Sequence, residues 1–305
     1  MTNVVTGFAV IVTIIAIGYV LGRRDVLGPT GPLVLSRLAF WVASPSLMFH
    51  TVAEADLTAM VSKPLISTGG SVLVVMTVFA VAGWWRGWST SYTTLGALCS
   101  GLVNAGNLGI PIAAYVLGDA TLVAPIFLMQ TIVIVPVALT ILDLAGHTAT
   151  VPLWRRFLTP LQSPVTVGSL AGVAVAASGV AIPEPVMEPF VLVGSMSIPA
   201  VLIVFGISLC GSSWPGRGPD RRPLALAMAL KSVVHPGAAW ALGVLAGLSR
   251  DELLAAVVLS ALPTAQNALT YAIRYGQATT LVREAVLVTT IASLPVLVVV
   301  AAVLR

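Results

Sequence analysis

Stretches of about twenty mostly apolar residues follow one another along almost the whole chain, and only short segments separate them. A helix of that length crosses the hydrocarbon core of a bilayer. Hydrophobic residues make up 58% of the 305 residues and charged residues only 9%, whereas about a quarter of the residues of a soluble domain are charged. No water-soluble fold hides so much apolar surface, so we expect lipid to be the solvent of this chain.

We predict an all-α polytopic membrane protein with ten transmembrane helices, although nine or eleven spans would also fit the pattern. The predicted spans lie at about 3–22, 32–52, 64–85, 92–117, 121–142, 163–181, 187–211, 223–247, 253–274 and 281–304.

The basic residues predict the orientation of the spans. Ten of the fifteen lie in loops after odd-numbered spans, whereas only Lys63, Arg250 and Arg305 lie in the other loops or at the termini. Cytoplasmic loops are enriched in Lys and Arg. We therefore expect a multi-pass protein of the plasma (inner) membrane with both termini outside. Because the basic residues are scattered and form no basic face, nucleic acid is not an expected partner.

Proline positions indicate an internal repeat. Four proline pairs recur in order at spacings of 152–159 residues: Pro45 and Pro199, Pro64 and Pro223, Pro111 and Pro263, Pro136 and Pro295. We predict a first five-helix repeat at 1–142, a short cytoplasmic loop at 143–162 and a second repeat at 163–305. A repeat of five spans must be followed by an inverted copy, which is the pattern of many secondary transporters.

Spans 4 and 9 carry helix-breaking and polar residues at membrane depth, as in the stretch NAGNLGIP at 104–111. Unwound backbone survives there only when it faces protein or a water-filled cavity. We therefore predict broken, crossing helices 4 and 9 that bind a small anion or zwitterion, although kinked structural helices are the alternative. The predicted substrate-binding residues are Asn104, Asn107, Gly109, Pro111, Pro263, Gln266 and Asn267.

For this predicted site, Asn107 and Asn267 are expected to face each other and to bind the substrate. Pro111 and Pro263 are expected to keep the unwound backbone open, so that its N–H groups join the asparagines.

Few other polar residues fall inside the spans, and these are candidates for coupling or support. Lys231 and His235 lie one turn apart on span 8 and could attract an anion or relay a proton. Alternatively, Lys231 extends to the cytoplasmic interface and His235 satisfies backbone groups freed by Pro236. Gln130 in span 5 could help to coordinate an ion or the substrate, or could join helices.

These motifs resemble the auxin efflux carrier family in its bacterial branch. The resemblance covers nearly the whole chain and is carried by NAGNLGIP at 104–111, PTAQNA at 263–268, LTPLQSPV at 158–165 and KSVVHP at 231–236. It implies ten spans in two inverted five-helix repeats, a fold similar to bile-acid sodium symporters and an elevator-like motion. The implied transport domain comprises spans 3–5 and 8–10, and the implied scaffold comprises spans 1, 2, 6 and 7. Plant members carry a long hydrophilic loop between spans 5 and 6, which is only about twenty residues here.

The sequence thus predicts a secondary transporter for a small organic anion, an auxin- or dicarboxylate-like carboxylate. Bacterial members of the family include proteins described as malate or malonate permeases, so the resemblance favours a carboxylate substrate. A flux-free ligand sensor and a channel are the alternatives. We find no metalloprotease, phosphate-binding or serine-hydrolase motif, so an enzyme is not expected. No cofactor is expected. The sequence leaves open whether transport is coupled to Na⁺ or H⁺, whether a metal binds and whether the protein forms a homodimer.

Overall fold

The computed structural model describes residues 2–54, 63–145, 164–208, 210 and 220–304. Within these ranges the regular secondary structure is helical. The helices are α1 (Thr2–Arg23), α2 (Gly31–Ala53), α3 (Lys63–Trp85), α4 (Thr90–Gly101), α5 (Ala105–Leu117), α6 (Ala120–Ala145), α7 (Pro164–Ser178), α8 (Glu184–Ile207), α9 (Arg221–Leu245), α10 (Arg250–Ser260), α11 (Asn267–Tyr275) and α12 (Thr279–Leu304).

Six helices in the described part of the chain are long and apolar enough to cross a bilayer: α2, α3, α6, α8, α9 and α12. Shorter apolar helical stretches are Ala9–Arg23, Ala105–Leu117 and Pro164–Ser178. The prediction of an all-α, multi-pass membrane protein is therefore confirmed at the level of fold class.

Predicted spans 4 and 9 are each interrupted. The first is divided into α4 and α5 by residues 102–104, and the second into α10 and α11 by residues 261–266. The helix breaks thus occur in the two segments where helix-breaking and polar residues coincide.

Wide π-helical turns precede four of the prolines. The turns are Ala39–Ala43 before Pro45, Ala105–Gly109 before Pro111, Gln130–Ile134 before Pro136 and Leu230–Val234 before Pro236.

In three of these turns, the residue before the proline donates its N–H five residues back. Ser44 donates to Ala39, Val135 to Gln130 and His235 to Leu230. A proline ring clashes with the carbonyl four residues before it. The wider turn offers that part of the helix another bonding pattern, so these helices continue past their prolines.

Contacts divide the chain into two compact units. The first contains α1, α2, α7, α8 and the segment Gly106–Leu128, which holds α5 and the start of α6. The second contains α3, α4, the rest of α6 and α9 to α12. The segment Gly106–Leu128 therefore groups with the helices that were predicted to form the scaffold.

Glycines allow close helix packing in the first unit. A Cβ atom on Gly206 of α8 would clash with the backbone carbonyl of Ile15 in α1, and one on Gly18 would clash with that of Ile203. Gly168 of α7 approaches the carbonyl of Pro45 in α2 in the same way. Such small-residue contacts are typical of helices packed within membranes, where lipid is as apolar as the side chains.

The Gly206→Leu variant is therefore expected to separate α1 from α8. Overpacking typically costs about 1–3 kcal/mol, so the thermal midpoint of the purified protein should fall by several degrees. Val191→Leu, on an exposed position of the same helix, is the matched control and should leave the midpoint unchanged. Equal midpoints for the two variants would show that the close approach of these helices is not needed for stability.

Serines join helices in the second unit. Ser67 of α3 donates a 2.6 Å hydrogen bond to the carbonyl of Ala239 in α9. The hydroxyl oxygens of Ser71 and Ser260 lie 3.4 Å apart and join α3 to α10. Ser260 is the last residue of α10, directly before the second break, so these contacts fix the end of α10 from which the break begins.

A capping box begins α10 and fixes the residue at which the helix starts. Ser249 accepts a hydrogen bond from the Glu252 backbone, and the Glu252 carboxylate accepts bonds from the N–H and hydroxyl of Ser249. These hydrogen bonds lower the pKa of Glu252. Because the folded pKa is lowered, this contribution to stability is present at neutral pH and is lost as the pH falls into the acidic range.

Candidate functional site

The two unwound segments pair with each other. Val103 and Thr264 form an antiparallel β-bridge. The N–H of Asn104 donates to the carbonyl of Pro263 at 2.8 Å, and the N–H of Ala265 donates to the carbonyl of Leu102 at 3.0 Å. Each break therefore supplies hydrogen-bond partners for the other at membrane depth, where unsatisfied backbone groups cost several kcal/mol each.

The side chain of Gln130 hydrogen-bonds to the backbone of the first break. Its Oε1 accepts the N–H of Val103 at 2.6 Å, and its Nε2 donates to the carbonyl of the same residue at 3.4 Å. Gln130 is buried and lies in the π-helical turn of α6. One amide side chain thus replaces both hydrogen bonds that Val103 would make within a continuous helix.

Two threonines form hydrogen bonds at the second break. Thr289 of α12 accepts the N–H of Thr264 at 3.1 Å, and the Thr264 hydroxyl donates to the carbonyl of Cys99 at 2.7 Å. In a continuous helix the carbonyl of Cys99 would accept the N–H of Val103, which here goes to Gln130. The hydroxyl of Thr264 therefore satisfies a carbonyl that the first break has freed.

Lys231 likewise contacts a carbonyl that the second break has freed, that of Ser260. Thr264 would normally donate its N–H to the carbonyl of Ser260 but donates to Thr289 instead. The Nζ of Lys231 lies 3.4 Å from that carbonyl of Ser260 and 2.9 Å from Nδ1 of His235. The expectation that Lys231 extends to the membrane interface is wrong, because only 1% of the side chain is exposed.

His235 is fully buried beside Lys231. Its Nε2 atom has no hydrogen-bond partner among the described residues. A buried imidazole with one nitrogen on an amine and the other unpaired is a candidate for proton exchange. Both residues were singled out from the sequence, and the structure brings them together.

Four backbone N–H groups of the breaks have partners within the protein, whereas the sequence predicted that such groups would bind the substrate. Those of Val103, Asn104, Thr264 and Ala265 all donate within the protein. Pro111 was expected to hold the unwound segment open, but it lies inside α5, after the break and after a π-helical turn. Pro263 does lie in its unwound segment, and its carbonyl takes part in the bridge.

Three predicted binding residues flank the bridge within the second unit. Asn104 is buried, whereas Gln266 and Asn267 are exposed at the start of α11. The N-terminus of a helix carries a partial positive charge that favours anions. Asn107 and Gly109 lie in the first turns of α5, in the first unit. The expected apposition of Asn107 and Asn267 stays a prediction.

Sequence reasoning did not single out Thr264 and Thr289. Thr264 stands directly after Pro263 in the span 9 segment, and Thr289 lies at membrane depth in predicted span 10. A threonine beside a helix-breaking proline is a useful signal, because its hydroxyl can satisfy a freed carbonyl. Across the part of the chain that the structure describes, no three His, Cys, Asp or Glu side chains gather as metal ligands.

Comparisons with known proteins indicate a transport protein, and broken helices with polar side chains beside them are typical of transporters. The family model described as "Membrane transport protein" matches residues 3–152 and 151–301. An uncharacterized transporter from Methanothermobacter thermautotrophicus is 29% identical over 120 residues, which cover 38% of this chain and 39% of that protein. The matched stretch thus spans less than half of that relative. The family match nevertheless covers nearly every residue, so the chain belongs to the membrane transport protein family, the auxin efflux carrier family that its motifs resemble.

Proposed function

We propose that the protein is a secondary transporter that moves a small organic anion, a carboxylate, across the plasma membrane. The observation that carries this proposal is the bridge between the two breaks in a member of a transport family. Beside it, Gln266 and Asn267 present amides at the N-terminus of α11. Neutral amide donors and the positive end of a helix dipole can bind a carboxylate without a basic side chain in the site.

The proposed architecture is ten spans in two inverted five-helix repeats. The separate family-model matches in the two halves support a duplication. The hydrogen bonds at the breaks support a symmetric relation, because each break leaves one helix carbonyl that a side chain satisfies. Thr264 does so for Cys99, and Lys231 does so for Ser260.

An elevator motion is the proposed transport mechanism. The second unit holds α3, α4 and α9 to α12 together with the bridge, which supports treating it as the moving, substrate-carrying part. The first unit would then form the scaffold.

Binding of carboxylates to the purified protein tests the site. Asn267→Ala and Gln266→Ala should each weaken binding by roughly ten- to a hundredfold, since a hydrogen bond to a charged group is worth about 1.5–3 kcal/mol. A thermal-shift screen against mono- and dicarboxylates identifies the ligand, because binding raises the midpoint by mass action. Titration calorimetry then gives the affinity of each variant.

Gln277→Ala is the matched control, because it removes an exposed amide beyond the far end of α11. Its affinity should equal that of the wild type. Wild-type affinity in both test variants would place the site elsewhere. In proteoliposomes, saturable flux and exchange indicate a carrier, unsaturable flux a channel, and binding without flux a sensor.

Cysteine labelling tests the proposed orientation. Single cysteines at Glu184 and Gly216 are expected to react from opposite sides of the membrane, with Gly216 on the cytoplasmic side. Glu184 begins α8, and Gly216 lies outside the described residues. The background should lack the native Cys99 and Cys210, which are free cysteines. Labelling of both positions from one side would exclude the ten-span topology.

A further inference from the structure

An apolar groove of about 530 Å³ lies on the second unit, away from the bridge residues. Helices α9, α10 and α12 form its walls. The lining residues are Ser232, Val233, Pro236, Gly237, Trp240, Val257, Pro295, Val296, Val299, Val300, Val303 and Leu304. Apart from the hydroxyl of Ser232 and the indole N–H of Trp240, these side chains carry no polar group.

The depth of the groove matches one leaflet of a bilayer. Its α12 wall runs from Pro295 to Leu304, and its α9 wall from Ser232 to Trp240. At the rise of a helix, these walls are about 14 Å and 12 Å long. Half of the hydrocarbon core is about 15 Å thick. A groove that begins at the end of a spanning helix and reaches the middle of the membrane fits a single acyl chain.

A cation lies at the Leu304 end of this groove. Arg250, which is exposed, donates from Nε to the carbonyl of Leu304 at 3.3 Å. The neighbouring carboxylate of Glu252 is bonded to Ser249 in the capping box. A guanidinium beside the mouth of an apolar groove is complementary to a phosphate attached to an acyl chain.

We propose that this groove holds one acyl chain of an anionic phospholipid whose phosphate contacts Arg250. The lipid would lie against Ser232 and Val233, which belong to the same π-helical turn as Lys231. Lys231 faces the buried bond to Ser260. The groove and the support of the second break thus share one turn.

Native mass spectrometry of the detergent-purified protein tests the proposal with phosphatidylglycerol, phosphatidylcholine and inorganic phosphate as probes. The blocking variant is Gly237→Phe, because a Cβ atom at Gly237 meets nothing within 4 Å and the ring can fill the groove without disturbing the fold. Arg250→Gln removes the cation. Val244→Phe, an exposed position on α9 outside the lining, is the control.

We expect the wild type and Val244→Phe to bind one phosphatidylglycerol at least tenfold more tightly than phosphatidylcholine. Gly237→Phe should lose most of this binding, and Arg250→Gln should bind the two lipids equally. Undiminished binding by Gly237→Phe would overturn the proposal, as would an unchanged preference in Arg250→Gln. Competition by inorganic phosphate alone would show an anion site without an acyl chain. A wild-type dimer that Gly237→Phe converts to a monomer would show that a second copy fills the groove.

Discussion

Gln130→Leu is expected to destabilise the protein strongly and to abolish transport. The substitution keeps the side-chain volume but leaves the N–H of Val103 buried without the partner that now satisfies it. It also removes one bond to the carbonyl of Val103, which still accepts the N–H of Ala105 at 2.8 Å. An unsatisfied buried group costs about 1–3 kcal/mol, so the free energy of unfolding should fall by about that much. The measurements are the thermal midpoint in detergent and uptake into proteoliposomes.

Gln130→Glu separates loss of the hydrogen bonds from loss of shape. A protonated carboxyl can accept from the N–H of Val103 and donate to its carbonyl, as the amide does. An ionised carboxylate cannot donate and is itself costly to bury. The midpoint of this variant relative to the wild type should therefore fall as pH rises and recover as pH falls.

Thr140→Ala is the control on the same helix, because the Thr140 hydroxyl donates to the carbonyl of Pro136 within its own turn and joins no other helix among the described residues. It should change the midpoint little. If Gln130→Leu behaved like Thr140→Ala, the bridge would not depend on the amide.

Lys231→Met should reduce transport at least tenfold and lower the thermal midpoint by a few degrees. Methionine fills a similar volume but donates no hydrogen bond, so the buried carbonyl of Ser260 loses its partner at a cost of about 1–3 kcal/mol. Transport should fall because the contacts of Lys231 with Ser260 and His235 link α9 to the second break. Ionisable residues retained within a membrane are functional by default.

Lys63→Met is the matched control, since Lys63 is the other lysine of the chain and is exposed at the start of α3. It should transport at the wild-type rate. Wild-type transport by Lys231→Met would remove Lys231 from the mechanism.

The role of His235 in coupling can be separated from that of Lys231. His235→Gln should abolish uptake driven by a pH gradient while leaving exchange of internal and external substrate intact. Gradient-driven uptake at the wild-type level would instead assign His235 a structural role. A Na⁺ gradient imposed at constant pH completes the comparison, because it would drive uptake only in a sodium-coupled carrier.

The features that sequence could predict are those expressed by local composition. Apolar runs of spanning length identified the membrane class, and the helices of the structure follow those runs. The clusters around Asn104 and Pro263 located both breaks, because proline, glycine and asparagine weaken a helix wherever they coincide.

The remaining features depend on contacts between residues that are distant in sequence. The position of the first break before Pro111 depends on Pro263 and Ala265, more than 150 residues further along the chain. The burial of Lys231 depends on the carbonyl of Ser260, which becomes available only once Thr264 turns away from it. Neither follows from hydropathy or from local propensity, so the sequence supported both an interfacial and a buried lysine.

The bridge between the breaks makes repair of one of them unfavourable unless the other changes with it. A substitution that restored a continuous helix through residues 102–104 would leave the carbonyl of Pro263 and the N–H of Ala265 without their present partners. The same holds in reverse for the carbonyl of Leu102. Substitutions in these short segments should therefore be tolerated mainly in compensating pairs. The two halves of the gene are thereby constrained to drift together at this point, even where their surrounding helices are free to diverge.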